Sequence, residues 1–229
     1  DNIILPAINF IAAYSMAQLC RANIYLADID YRTGQMSPQN IIDCIKKNKI
    51  RKIKAFVSMY LGGSPEYIKD FYKLKKKLNC YYIEDACHAF GASYIINNKI
   101  YKVGSCKHSD ICTFSFHPVK TITTGEGGLV TTNNSNFYEK IKEQRSHGII
   151  RHKNKPWNYK VKQTSFNYRI SEINCLLGLS QIKKTKKFLS KRYMLAKTYN
   201  KNLVAKSNVL KVIDITKPNL SAWHLYIIL

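Results

Sequence analysis

Residues 113–128 read TFSFHPVKTITTGEGG, an apolar strand-like run that stops at a Pro, a Lys and a cluster of Gly. The chain carries 37 Lys and Arg, and most fall in helical surface runs such as KDFYKLKKKLN and SQIKKTKKFLSKR. Lys120 differs, because it follows a segment that reads as buried. Two explanations are open. A Lys at the edge of a core is often one half of a structural ion pair. A Lys amine held partly out of water can instead be a nucleophile toward an aldehyde.

Outward from this stretch, short apolar runs alternate with amphipathic ones, which predicts an α/β domain. Strands are expected at Ile3–Leu5, Ile24–Ala27, Ile53–Met59, Cys80–Glu84, Ile111–Phe116 and Leu129–Thr132. Helices are expected at Ile8–Arg21, Ser37–Lys47, Pro65–Leu78 and Asn136–Gln144. Ser37-Pro38 reads as an N-cap followed by Pro at the first helical position, and Ser64-Pro65-Glu66 repeats the pattern. From Ser171 to about Tyr199 the apolar spacing is that of one long helix. A helix of this length after a run of alternating units is expected to lead from a large domain over 1–180 into the start of a smaller one over 181–229.

The 229 residues bury a substantial core, and the 45% hydrophobic content excludes a disordered chain. The apolar runs are too short to span a bilayer, so no membrane association is expected. A net charge of +23 would suit a nucleic acid, but the Lys residues are spread over helical surfaces and accompany no recognised binding motif. No nucleic-acid partner is expected; the field would instead attract a phosphorylated substrate. Seven Cys without a leader predict reduced thiols in the cytoplasm. Cys87, His88, Cys106, His108 and Cys112 lack paired CxxC spacing, so buried thiols and no metal are expected. The start at Asp1 is read as that of a piece of a longer polypeptide.

Ligands of open α/β sheets gather beyond the carboxyl ends of strands. YYIEDACHAFGAS places Asp85 directly after a strand, with His88 expected one helical turn on. Ser115 lies in the next strand and Lys120 just past it, while SFNYRIS places Asn167 and Arg169 before the long helix. Pyridoxal phosphate (PLP) needs an amine for its aldehyde, a carboxylate for its ring nitrogen and donors for its phosphate. Lys120, Asp85 and Ser115 match those needs in residue type. GEGG is not a P-loop: it lacks the GxxxxGK[ST] order and reads as a tight turn.

The segments YIEDACHAFGASY, FHPVKTITTGEGG, RSHGI and FNYRISEINCLLGLSQIKK closely resemble the DegT/DnrJ/EryC1/StrS family of PLP-dependent sugar aminotransferases. The resemblance runs essentially end to end. It implies a fold-type I PLP-dependent transferase, a three-layer αβα arrangement with a mostly parallel sheet, followed by the start of a small C-terminal domain. It implies that Lys120 carries PLP and moves protons during amination, that Asp85 pairs with the pyridine nitrogen and that His88 lies against the ring. Ser115 would bind the phosphate, and Asn167 would reach it in the neighbouring subunit of a homodimer. His117, Arg169 and His224 would meet substrate. Trp157 and Tyr159, read as lying in a polar loop, would approach the nucleotide sugar, and Cys87 is read as core. The implied reaction moves an amino group from L-glutamate to the C4 keto group of a UDP-linked 4-keto-6-deoxy-N-acetylhexosamine. A relative acting on another nucleotide keto-sugar, or an inactive remnant lacking the family's ends, are the alternatives.

Overall fold

The computed structural model describes residues 1–152, 154–206 and 209–229. In chain order its strands are β1 (Asn2–Pro6), β2 (Asn23–Ala27), β3 (Ala55–Met59), β4 (Tyr81–Asp85), β5 (Ser93–Ile96), β6 (Lys99–Lys102), β7 (Ile111–Ser115), β8 (Gly128–Thr131), β9 (Ile149–His152) and β10 (Lys155–Val161). The helices are α1 (Ala12–Leu19), α2 (Pro38–Lys47), α3 (Ile68–Leu78), α4 (Ser135–Arg145), α5 (Glu172–Ile182) and α6 (Thr185–Tyr199). The central 6-stranded sheet has the order β2-β1-β3-β4-β7-β8. All its pairings are parallel except β7 with β8. The mostly parallel sheet expected of an α/β domain is therefore present.

Parallel strands in register place neighbouring side chains on a common face. Ser58 lies beside Glu84 and Glu84 beside Cys112, while Met59 lies beside Asp85 and Asp85 beside Thr113. Adjacent residues Glu84 and Asp85 thus point to opposite faces. Ile4, Phe56, Phe71 and Tyr82 fill the core on the Glu84 face, with the Phe56 and Tyr82 rings stacked at 4.9 Å. The amphipathic helices α2 and α3 contribute Ile41, Phe71 and Leu74 to that face.

Local chemistry explains where elements match the expected bounds and where they do not. Ser37 caps α2 through a capping box with Asn40, and Pro38 occupies the first turn. The parallel expectation for Ser64-Pro65 fails: α3 begins at Ile68, behind a left-handed Tyr67 with φ of 61°. Ser64 Oγ donates to Glu66 Oε1 at 2.6 Å, and it lies three residues before Tyr67, the residue at which the helix starts without a side-chain cap. The long helix expected from Ser171 to Tyr199 is two helices. Ser171 caps α5 by accepting from Asn174 N–H, but Thr185 Oγ1 donates to Ile182 O at 2.8 Å where α5 ends and α6 begins. Two hairpins escaped the sequence reading. Left-handed Asn97 and Asn98 turn β5 into β6, as such hairpin turns require. Trp157 and Tyr159 belong to strand β10, paired with β9, and not to a loop.

Two buried features shape the end of the sheet. The first is the turn Leu61–Gly63 after β3, where Gly62 and Gly63 adopt φ of 73° and 102°. A Cβ on Gly63 would lie 2.6 Å from the backbone oxygen of His88. The second is Glu84, 1% exposed, whose Oε2 has no hydrogen-bond partner. Tyr60, Cys112, Ser109 and the Gly104 amide surround it, and among the described residues no cation lies within 4.0 Å. Burial pushes its carboxyl up from the ordinary carboxylate range.

Substituting Gly63→Ala should lower stability by about 2 kcal/mol or more, read as a shift in urea midpoint, because the new methyl meets backbone in a left-handed conformation. An unchanged midpoint would refute the contact. Glu84 binds its proton more tightly folded than unfolded, so its contribution is full at low pH and declines as pH rises through the unfolded carboxylate range. Glu84→Gln should therefore flatten the fall in stability between pH 4 and 8, leaving the variant relatively more stable at pH 8 by about 1 kcal/mol or more. A constant difference between the two pH values would contradict a neutral Glu84.

Candidate active site

The carboxyl ends of β4 and β7 lie side by side, joined by Ala86 N–H donating to Thr113 O at 2.9 Å. Asp85 is the last residue of β4, and not the first beyond it, and shares its sheet face with Thr113 and Ser115. Its Oδ1 accepts from Cys87 N–H at 3.1 Å, which closes a turn instead of the helical turn expected before His88. No cation lies within 4.0 Å of the Asp85 carboxyl among the described residues. The carboxylate is thus not taken up by an ion pair.

Ser115 ends β7 opposite Gly128, and its Oγ accepts from His117 N–H at 3.4 Å. Pro118 then opens a turn closed by Lys120 N–H donating to His117 O at 3.0 Å. Thr123 Oγ1 donates to Phe116 O at 2.9 Å, and Thr124 N–H to the same carbonyl, so the segment after Lys120 folds back on the strand. Asn174 of α5 completes the loop, donating from Nδ2 to Thr124 O at 2.6 Å and Glu126 O at 3.0 Å. The glycines of GEGG thus turn the chain into β8, the role expected of them.

Lys120 is half-buried and has no carboxylate within 4.0 Å. The structural ion pair considered from sequence is not made. The charge of Lys120 lowers the proton affinity of Cys87, His88 and His224, so these groups share one electrostatic neighbourhood, and Asp85 acts on Cys87 in the opposite sense. Burial first, then the Asp85 carboxylate, pushes the Cys87 thiol up; it stays protonated at neutral pH, in keeping with a packing role.

His88 and His224 stack at 4.2 Å between centroids, tilted by 42°. Burial first, then the charges of neighbours, pushes His88 down to about 3 and His224 down to about 4. Both rings are neutral at neutral pH, and the Nδ1 of each is buried without a hydrogen-bond partner. Unpartnered buried polar atoms are costly, and a site that keeps them is built for something else to approach.

The other expected residues lie apart from this cluster. His117 is exposed, with Nε2 3.9 Å from Glu126 Oε1. Asn167 and Arg169 are exposed on the loop before α5, tied to each other by Arg169 N–H donating to Asn167 Oδ1 at 3.2 Å. They share no hydrogen bond with Asp85, Ser115 or Lys120. A cavity of ≈ 280 Å³ between Tyr67, Ile96 and Thr216 borders none of these residues. The Gly62–Gly63 turn, Glu84 and the pairing of His224 with His88 were not foreseen. A Gly pair directly after the third strand was the one visible signal of a left-handed turn there.

Of the other thiols, Cys44, Cys80, Cys106 and Cys112 are buried, while Cys20 and Cys175 are exposed. Cys112 is fully buried, and Cys106 Sγ donates to Thr131 O at 3.2 Å. Among the described residues no group of His, Cys, Asp and Glu has metal-binding geometry, and no helix is long and apolar enough to cross a membrane.

The chain is 36% identical over 230 residues to a UDP-4-amino-4,6-dideoxy-N-acetyl-beta-L-altrosamine transaminase of Campylobacter jejuni, covering 100% of this chain and 58% of the relative. It is 31% identical over 226 residues to the GDP-perosamine synthase of Escherichia coli O157:H7, covering 99% and 57%. The solved structure of Helicobacter pylori PseC, an aminotransferase involved in the biosynthesis of pseudoaminic acid, superposes with a TM-score of 0.85 at 31% identity, over 100% of this chain and 58% of that one. The chain thus spans a little over half the length of these relatives. The fold is that of the PLP-dependent aminotransferases. With residues 1–229 matching throughout, the chain belongs to the DegT/DnrJ/EryC1/StrS aminotransferase family.

Proposed function

We propose that the protein carrying this chain is a PLP-dependent nucleotide-sugar aminotransferase. One observation carries the reading: Lys120 stands without an ion pair at strand ends that also present Asp85, Ser115 and two half-buried imidazoles whose Nδ1 atoms have no hydrogen-bond partner. That set fits PLP. Lys120 Nζ would hold the aldehyde end, and the Asp85 carboxylate would hold a proton on the ring nitrogen. Ser115 Oγ, engaged only by one 3.4 Å contact, would donate to the phosphate. The neutral His88 ring would lie flat against the cofactor. When bound, PLP would supply an electron-withdrawing ring that stabilises charge at the substrate carbon.

The chain's own residues then do three things. Asp85 presents its carboxylate on one face, while Glu84 lies on the other, where burial raises its proton affinity. Lys120 Nζ carries a proton to and from the carbon that receives the amino group. His88 and Cys87, neutral and half-buried, exclude water from that spot. Similarity to the Campylobacter transaminase supports a UDP-linked 4-keto-6-deoxy-N-acetylhexosamine as acceptor, aminated at C4, with L-glutamate as donor. Similarity to GDP-perosamine synthase supports a second reading, in which another nucleotide-linked keto-sugar is the acceptor.

A homodimer belongs to the same proposal: exposed Asn167 would reach the phosphate in the neighbouring subunit, with Arg169 and His117 toward substrate. So do a cytoplasmic location, the absence of a nucleic-acid partner, and the division into a cofactor domain over 1–180 and the start of a smaller one over 181–229.

The complete protein mixed with PLP should gain a visible absorbance band that borohydride bleaches, leaving a pyridoxyl label on the peptide containing Lys120. Lys120→Ala should lose the band and lower transamination at least about 100-fold. A variant that keeps both, or a label on another lysine, would overturn the assignment.

A further inference from the structure

His88 and His224 reach their contact from distant parts of the chain, and His224 is held there by its backbone. Its N–H donates to Gly62 O at 2.7 Å, and the Ala222 N–H donates to Gly63 O at 2.9 Å. From the other side, Arg192 Nη1 of α6 donates to the carbonyls of Trp223 at 3.2 Å and His224 at 3.1 Å. Trp223 between them is left-handed at φ of 48°, 6% exposed, and donates from Nε1 to Pro218 O at 2.7 Å. A backbone fixed on both sides leaves the His224 ring little freedom to swing toward a ligand.

The same turn governs His88. Its carbonyl packs so closely on Gly63 that only glycine fits there. One glycine turn therefore receives the His88 loop on one side and the His224 segment on the other, and the two imidazoles meet above it at 4.2 Å. The charged groups facing the pair are Lys120 and, toward His224, Arg192; among the described residues neither ring has a carboxylate within 4.0 Å. Burial first, then Lys120 for both rings and Arg192 for His224, disfavours protonation, and one imidazolium would repel the other. The stacked pair stays neutral, and a neutral aromatic face is what stacking on a protonated pyridine ring needs.

We infer that His224 is a positioning residue, acting through His88: stacked on it and pinned by its own backbone, it fixes the plane that His88 presents to the pocket. This rests on reading His88 as the ring that lies against the cofactor. It differs from the sequence expectation, in which His224 meets substrate itself. It also gives the C-terminal segment a task, because residues 222–224 carry the ring that completes the wall behind His88.

The test separates these roles in the complete protein. Imidazole resonances of ¹⁵N-histidine-labelled protein, recorded without cofactor, report the His88 ring directly. His224→Ala should shift them and raise the His88 protonation midpoint by about 1 pH unit or more toward the free-imidazole value, since a wall of its burial is gone. His224→Phe, which keeps a flat ring, should leave the His88 resonances near their original positions. In kinetics, Ala should lower kcat about 10-fold with KM for the sugar nucleotide little changed, and Phe should restore kcat.

An Ala variant whose His88 signals and titration match the parent overturns the inference, as does a loss confined to KM, which would make His224 a substrate ligand. A folded Phe variant that disturbs His88 as Ala does also overturns it. Because the resonances are read without cofactor, failure here is distinguishable from failure of the aminotransferase reading, which the Lys120 label reports.

Discussion

The end of the sheet depends on the left-handed turn at Gly62–Gly63. A side chain at Gly63 would collide with the His88 carbonyl, the Ala222 side chain and the His224 amide at once, at 2.6, 3.1 and 3.2 Å. Glycine alone permits three backbones to close on one point, and it does so in a conformation other residues adopt at a cost. The turn also follows directly from Tyr60, whose N–H donates to Asp85 O at 3.2 Å. Through one tight turn the strand that ends in Asp85, the loop that carries His88 and the segment that carries His224 are set relative to each other. The rigidity the site needs comes from packed backbone and not from ion pairs.

Electrostatically, the site keeps its charges apart. Asp85 and Lys120 flank Cys87 without pairing, and the groups between them are held neutral by burial. Strand alternation sends the adjacent Glu84 to the opposite face, where no cation compensates it and burial raises its proton affinity. Two neighbouring carboxyls thus meet different surroundings on two sheet faces. An ion pair between Lys120 and Asp85 would have used up both groups; leaving them apart keeps an amine and a carboxylate free for the two ends of one flat ligand.

Much of this was legible in the sequence, for identifiable reasons. Asp85, Ser115 and Lys120 could be picked out because each terminates or follows an apolar strand, and strand ends are where α/β sheets bind ligands. The Ser37 cap was legible because its partner Asn40 is local. The Ser64 cap failed because the helix starts only at Ile68, behind left-handed Tyr67, while Glu66 is held by Ser64 Oγ and by Thr216 N–H and Oγ1, a contact across 150 positions. The break between α5 and α6 hid inside an unbroken helical apolar pattern, since Thr185 ends the first helix with a hydroxyl and not with a Gly or Pro. The pairing of His224 with His88 is a property of tertiary packing alone. Asn167 and Arg169, exposed on their loop, share no hydrogen bond with Asp85, Ser115 or Lys120 within the chain.

The central claim is that Lys120, Asp85 and Ser115 hold the two ends of one PLP molecule with His88 against its face. A crystal structure of the complete protein grown with PLP tests it most directly. The account predicts electron density continuous from Lys120 Nζ into the cofactor, with the ring nitrogen within hydrogen-bond distance of Asp85, the phosphate at Ser115 and the ring plane against His88. Density for the cofactor elsewhere, or a cofactor joined to a different lysine, would contradict it.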